Sequence, residues 1–214
     1  MLGTERDNAG ETTVKLSVKL TTKLDHFVVV NVDLKGDIVS ESVRETRNMG
    51  KAELIVFNED WISGSMLDYL SYCLNKSDPE HFGALNCLQQ TLSWMDTNQL
   101  RLKGKIAYLH HFEIFTTYRG VGFARPYIWL LLQKLKKELE IDGVILIAYP
   151  FKSEGPNEVE FRRQKRILEK LYLKSGFTIL NKGGGKLYSK TGVELEHLFC
   201  DMKHKTFSEF IASR

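Results

Sequence analysis

The sequence predicts a mixed α/β fold built around one sheet, and three observations predict it. A strand, a glycine-rich turn, a long apolar-striped helix and a second, wholly apolar strand follow one another from Lys105 to Tyr149. Such a unit makes a parallel strand pair. The segments before it alternate apolar and polar residues, as half-buried antiparallel strands do. After it come one more helix and several short apolar runs separated by glycines, which read as closing strands.

In chain order, the N-terminal half reads as strands followed by two helices. Val14–Leu20 alternates, and Phe27–Leu34 is an apolar run that ends at Lys35-Gly36-Asp37, a hairpin turn signal. Ile38 to about Arg47 would be a polar return strand, and Lys51–Asn58 is β-branched and apolar. Asp60 suits the cap of a helix carrying Trp61, Met66, Leu70 and Leu74, which Asp78-Pro79 breaks. A second helix at about His81–Met95 aligns Leu85, Leu88, Leu92 and Met95.

Lys105–Thr117 is rich in Ile, Tyr, Phe and Thr, and Tyr118 leads into Arg119-Gly120-Val121-Gly122-Phe123-Ala124. Pro126 falls in the first turn of the next helix, where its missing N–H costs nothing. That helix runs to about Glu140 on Ile128, Leu131, Leu132, Leu135 and Leu139, and Lys134, Lys136 and Lys137 in its later turns suit the helix dipole. Gly143–Tyr149 then reads as a strand buried on both faces. Glycines ahead of a helix start are a phosphate cradle: they let the backbone approach a ligand, and the free N–H groups of the first turn attract negative charge. A Walker loop would end in Gly-Lys-Ser/Thr, whereas this one ends Gly122-Phe123-Ala124. A dinucleotide fingerprint would place glycine where Arg125 stands.

Asn157 is placed to cap a helix over Glu158–Ser175. Phe161, Leu168, Leu171 and Tyr172 form its inner face, Arg162, Arg163, Lys165 and Arg166 a basic one, and Gly176 suits its C-cap. Phe177–Leu180, Lys186–Lys190 and Leu195–Lys203 are expected as closing antiparallel strands, with a turn at Gly183–Gly185 and a short helix over Phe207–Ala212.

The string Arg119–Ala124 fits the pattern R/Q-x-x-G-x-G/A. It is followed about fifty residues on by Tyr172-Leu173-Lys174-Ser175-Gly176-Phe177. In that order and spacing the pair resembles the GNAT superfamily of acetyl-CoA-dependent N-acetyltransferases, over about residues 104–204. The resemblance implies a GNAT-like mixed, mostly antiparallel sheet of about seven strands with helices on both faces. Residues 59–100 would be a helical insertion beside the acceptor pocket, since the family's helices generally follow its first strand. Residues 13–214 would form a single domain behind a flexible tail at 1–12. The resemblance further implies that main-chain groups of Phe112, Glu113 and Ile114 pair with the pantetheine arm. The pyrophosphate would lie on the backbone of Gly120, Val121, Gly122, Phe123 and Ala124, with Arg119 opening the loop and Arg125 beside it. Thr116 stands where the family commonly has proline. The two central strands are expected to part after about Ile114.

By the same resemblance, Tyr172 is the expected donor to the leaving thiolate. The acceptor amine must be neutral to attack, so a base is needed. His110, nine residues before Arg119, is the preferred base, since some small-amine acetyltransferases carry a histidine at that distance. Glu113, His111 and Glu53 are the alternatives. A bulge in this strand would upset any simple assignment of faces.

Composition limits the partners. At 43% hydrophobic and 27% charged residues, the 214-residue chain can fill a core. A net charge of +3 is too small to imply nucleic acid, leaving tRNA as the one such partner considered. Cys73, Cys87 and Cys200 have no pairing pattern, which suits reduced thiols in a cytoplasmic setting. No Cys/His cluster has zinc spacing, so no metal is expected. No apolar run approaches the ~20 residues that cross a bilayer, and MLGTERDNAGETT has no signal core. The expected partners are acetyl-CoA and a primary amine, in a monomer or homodimer. Small-molecule amines lead. A protein amine or aminoacyl-tRNA is the alternative, and a non-catalytic acyl-CoA-binding module is a third reading.

Overall fold

A computed structural model describes residues 12–23, 27–40, 43–57, 105–150, 158–179, 187–188 and 194–202. Its strands are β1 (Thr12–Lys23), β2 (Phe27–Ser40), β3 (Val43–Phe57), β4 (Lys105–Ile114), β5 (Ile141–Ile147), β6 (Thr178–Ile179), β7 (Leu187–Tyr188), β8 (Glu194–Leu195) and β9 (His197–Asp201). Two helices are described, α1 (Ala124–Leu139) and α2 (Glu158–Lys174). The main sheet has seven strands in the order β1-β2-β3-β4-β5-β9-β6, and β7 and β8 form a separate two-stranded ribbon. Only β4 and β5 run parallel, joined through α1; the other pairs of the main sheet are antiparallel. The fold is therefore the mixed, mostly antiparallel α/β sheet expected. The expected helices at 59–100 and 207–212, the glycine turn at 183–185 and the Asn157 cap lie outside the described residues.

The turn expected at Lys35-Gly36-Asp37 is not there. β2 runs straight through it to Ser40, which faces Val43, so the chain reverses between those two residues. The expected return strand at 38–47 is correspondingly divided: its first residues finish β2 and its last begin β3, which continues unbroken to Phe57. The reason lies in packing. The pairing of β2 with β3 shifts between Leu34 and Lys35, leaving Met49 as an extra residue in β3. A Cβ at Gly36 would lie 2.4 Å from Met49 Cε and 2.5 Å from Met49 Sδ. Glycine at 36 thus makes room for a buried methionine across the strand rather than for a reversal.

Asp37 is buried next to it and accepts hydrogen bonds from Lys15 Nζ, from Arg44 Nη2 at 2.6 Å and from Thr46 Oγ1 at 2.6 Å. These bonds, that from Lys15 first, hold its carboxyl well below the usual carboxylate range. One side chain thereby ties together β1, β2 and β3.

The principal core lies on one face of the sheet. α1 lays Tyr127, Ile128, Leu131, Leu132 and Leu135 against Val30, Val32 and Leu34 of β2, Ala52, Leu54 and Val56 of β3, and Val144 and Leu146 of β5. Each such aliphatic side chain contributes roughly 1.5–3 kcal/mol by leaving water. Glu140 ends α1 in the left-handed conformation, its N–H bonded to the Leu135 carbonyl. On the opposite face Ile55, Ile106, Tyr108, Ile145 and Phe199 are buried as well.

Two consequences can be measured. Asp37 has a depressed pKa in the folded chain, so its contribution is present above roughly pH 4 and is lost as pH falls below that. Asp37→Asn is expected to lower the melting temperature at neutral pH and to flatten the acid side of the stability curve. Equal acid dependence in both proteins would show that the cluster does not govern it. At Gly50, an added Cβ would lie 2.1 Å from the Glu113 carbonyl oxygen on the neighbouring strand. Gly50→Ala must therefore push β3 from β4 and is expected to cost about 1–3 kcal/mol in chemical denaturation. An unchanged midpoint would refute that close approach.

Candidate active site

The site is organised by a bulge in β4. Glu53 faces His111 and Leu54 faces Leu109, so His110 is an extra residue with no opposite number in β3. Before it, Ala107 and Leu109 join the α1-side core; after it, Ile114 does, with Phe112 packed alongside. The inserted residue exchanges the faces of the strand. His111 and Glu113 consequently project together on the other side, across from Glu53 and Lys51 of β3. His110 itself is buried, its ring 6.0 Å from that of Tyr108.

β4 also loses its other neighbour here. It pairs with β5 from Lys105 to Tyr108, and no further pair follows within the described residues. The strands therefore part after Tyr108, earlier than the expected position after Ile114. The cause is local: a bulge adds twist and bends its strand, and this one follows the last paired residue by two positions. Beyond Tyr108, the strand pairing of β4 within the described residues is with β3, up to Gly50–Ile114 and the Phe115 N–H bond to the Met49 carbonyl at 2.9 Å. Its free edge opens onto a cleft of about 590 Å³. His111, Phe112, Glu113 and Ile114 line one wall, Glu160, Arg163, Gln164, Ile167, Leu168 and Leu171 of α2 the other, and Arg119, Ala124, Tyr149 and Pro150 complete it.

Arg119 and Ala124, which flank the glycines of the loop, are both in this lining. After a 3-10 turn over Thr116–Tyr118, Gly120 has φ 83° and Gly122 φ 90°, in the left-handed region that side chains disfavour. A Cβ on either would meet nothing within 4 Å, so the protein itself does not crowd them. They are glycines for their backbone angles, and the space beside them is open. Phe123 precedes α1 without a side-chain capping bond, and the first turn carries no acidic residue. Pro126 has no N–H to offer, so the outward donors are concentrated at the preceding positions. A helix start with free N–H groups and no acidic residue in its first turn is suited to an anion. Val121 is exposed at the loop tip, and Arg125 lies in the first helical turn.

Arg119 fastens loop to strand. Its Nε donates to the Ile114 carbonyl at 2.7 Å, and its Nη2 lies 3.4 Å from Glu113 Oε1. Glu113 is nearly buried, and its other oxygen lies 3.4 Å from His111 Nε2.

Tyr172 sits elsewhere. It is buried in the core and is not among the residues lining the cleft. The end of α2 accounts for its spacing to Gly176-Phe177. The Phe177 N–H bonds to the Tyr172 carbonyl at 3.1 Å, the Gly176 N–H bonds to the Leu173 carbonyl at 3.1 Å, and Gly176 has φ 93°. That is a Schellman ending, whose accompanying apolar contact is here the edge-to-face pair of Tyr172 and Phe177 at 5.6 Å. Burial pushes the Tyr172 phenol above its ordinary pKa, so it stays protonated at neutral pH. The basic face of α2 is largely paired: Arg162 with Glu158, Arg163 with Glu160 at 2.9 Å and Lys165 with Glu169 at 2.6 Å.

Of the residues expected from sequence, the cleft lining brings together His111, Phe112, Glu113, Ile114, Arg119 and Ala124, while Gly120, Val121, Gly122, Phe123 and Arg125 are not among its lining residues. His110 and Tyr172 stand apart from the cleft lining. Sequence reading missed His111 as Glu113's partner and the α2 wall. The first needed the bulge; of the second, Leu168 and Leu171 were read as an inner face and Arg163 as part of a basic one, and no pattern joined them into a wall.

Among the described residues no three His, Cys, Asp or Glu side chains form a metal-binding group, and no helix is long and apolar enough to cross a membrane. No protein-family model matches the sequence, and no curated protein does. The chain is similar to solved structures of spermidine N-acetyltransferase SpeG from Vibrio cholerae. With a chimera of that enzyme and hSSAT it shares 14% identity at a TM-score of 0.40, covering 87% of this chain and 71% of that one. With a point mutant of the enzyme the identity is 14% and the TM-score 0.42, over 86% and 71%. At such values the likeness settles neither substrate nor mechanism.

Proposed function

We propose that the chain is a GNAT-type N-acetyltransferase that moves the acetyl group of acetyl-CoA to a primary amine of a small molecule. One observation carries the reading: the stretch of β4 that has parted from β5 and the uncapped, glycine-opened start of α1 meet at a single cleft. A strand edge pairs with a ligand's amides, and a helix start binds phosphate. An acyl-CoA offers both in one molecule, and its thioester is the activated acetyl group. Phe112, Glu113 and Ile114 would hold the arm through main-chain groups. Gly120, Val121, Gly122, Phe123, Ala124 and Arg125 would hold the pyrophosphate, with Arg119 setting the loop. Main-chain N–H groups on the free edge can polarise a carbonyl. Tyr172, the proton donor to the leaving sulfur expected by resemblance, lies buried outside the cleft lining, and Tyr172→Phe tests that role against packing.

A small acceptor is favoured over a macromolecular one because Arg162, Arg163 and Lys165 of the basic face are paired with carboxylates of the same helix, which lessens their pull on an acidic partner such as tRNA. Thiol release from acetyl-CoA should therefore rise with small primary amines and not with peptides or aminoacyl-tRNA. Tight CoA binding with no release by any acceptor would mark a non-catalytic binding module.

Two variants test the parts. Gly122→Asp places a negative charge at the cradle in open space, so the fold should survive while acetyl-CoA affinity falls steeply. Gly122→Asn carries the same backbone strain without the charge and should lose less. Calorimetry giving unchanged affinity for Gly122→Asp would remove the cradle. Tyr172→Phe should lower kcat by ~10²–10⁴ with melting temperature and cofactor affinity little changed. Normal turnover would leave Tyr172 a packing residue.

A further inference from the structure

We infer that His111 is the group that takes the proton from the acceptor amine, and that Glu113 positions it while Arg119 couples the pair to the glycine loop. This rests on the acetyltransferase reading above. Three observations carry it. The bulge at His110 turns His111 and Glu113 to one side of β4, and both line the cleft. His111 Nε2 lies 3.4 Å from Glu113 Oε2. Glu113's other oxygen lies 3.4 Å from Arg119 Nη2, and the same guanidinium is anchored to the Ile114 carbonyl at 2.7 Å. These carboxylate contacts are long for hydrogen bonds, as catalytic contacts often are before substrate binds. His110 is buried away from the cleft lining.

With the Nε2 proton directed at the carboxylate, the neutral tautomer carries its lone pair on Nδ1. His111 takes one proton from the ammonium form of the acceptor and becomes an imidazolium facing Glu113. The freed amine lone pair forms the C–N bond as the C–S bond breaks. The sulfur leaves with the bonding pair and takes up a proton, the new amide nitrogen gives up its second, and the imidazolium returns its own to water. The sum is an amide, a thiol and one released proton. Arg119 belongs at once to the cradle loop and to Glu113, so it competes with His111 for the carboxylate's charge. The charged or titratable groups around the pair are Glu53 and Lys51 across β3, Arg119, Tyr149, and Glu160 and Arg163 on α2.

The test is the pH dependence of kcat at saturating acetyl-CoA and amine, with cofactor affinity measured in parallel by calorimetry. His111→Gln should lower kcat by ~10²–10⁴, erase the acid limb and leave acetyl-CoA affinity unchanged. Glu113→Gln removes the charge that stabilises the imidazolium, so the limb should move to lower pH by roughly one unit. Arg119→Gln frees that charge for His111, so the limb should move to higher pH, with weaker acetyl-CoA binding. Opposite shifts from two neighbours are not what a purely structural role produces. A His111→Gln enzyme with normal kcat and an intact limb overturns the inference. So does a limb that stays put in both neighbouring variants, or one erased by His110→Gln alone. Wild-type protein that binds acetyl-CoA but acetylates no amine would overturn the acetyltransferase reading itself, and this inference with it.

Discussion

A β-strand in the middle of a sheet normally spends the hydrogen-bonding groups of both edges on its neighbours. β4 does so only as far as Tyr108; beyond it, one edge stays zipped to β3 while the other is released. The cleft described above depends on that release. Unpaired main-chain groups in an interior are costly unless something satisfies them. Arg119 satisfies one by donating to the Ile114 carbonyl. The rest of the edge faces a cleft walled by α2. The bulge at His110 supports the parting by bending the strand. It also exchanges the strand's faces, so the same irregularity that opens the cleft brings His111 and Glu113 to it.

In the proposed reading, the glycine loop turns this opening into a place for an anionic ligand. Its two positive-φ glycines are required by their backbone angles, and an added Cβ would touch none of the described residues. Gly36 and Gly50 are the contrary case: there a Cβ would collide with Met49 or with the Glu113 carbonyl. Gly120 and Gly122 shape a backbone toward the outside, while Gly36 and Gly50 keep two strands close. Gly50 lies directly against Glu113, so the tight approach of β3 fixes the strand from which the His111–Glu113 pair projects.

The sequence Tyr172 to Gly176-Phe177 has a complete structural account as a helix ending. A left-handed glycine, two main-chain bonds and an edge-to-face ring pair produce that spacing whether or not the phenol does chemistry. A pattern that carries a family resemblance can therefore be, at the level of forces, a capping motif. The loop pattern differs, because its glycines set a left-handed backbone beside open space rather than a packed helix ending.

By itself the sequence determined the β–α–β unit, the glycine turn between strand and helix, the two helices of the C-terminal half and the mixed character of the sheet. These rest on local forces: side-chain periodicity, the dihedral freedom of glycine and the missing N–H of Pro126. The sequence misled at Lys35-Gly36-Asp37, where turn-forming residues lie inside a strand because Met49 needs the space and Lys15, Arg44 and Thr46 satisfy the aspartate. Only the tertiary structure decided where β4 leaves β5, which histidine meets the cleft and which α2 residues wall it. A bulge adds one residue against a partner strand far away in the chain, and no alternation within Lys105–Ile114 reveals it. The pairing of His111 with Glu113 follows from that register shift, a property of two strands rather than of one.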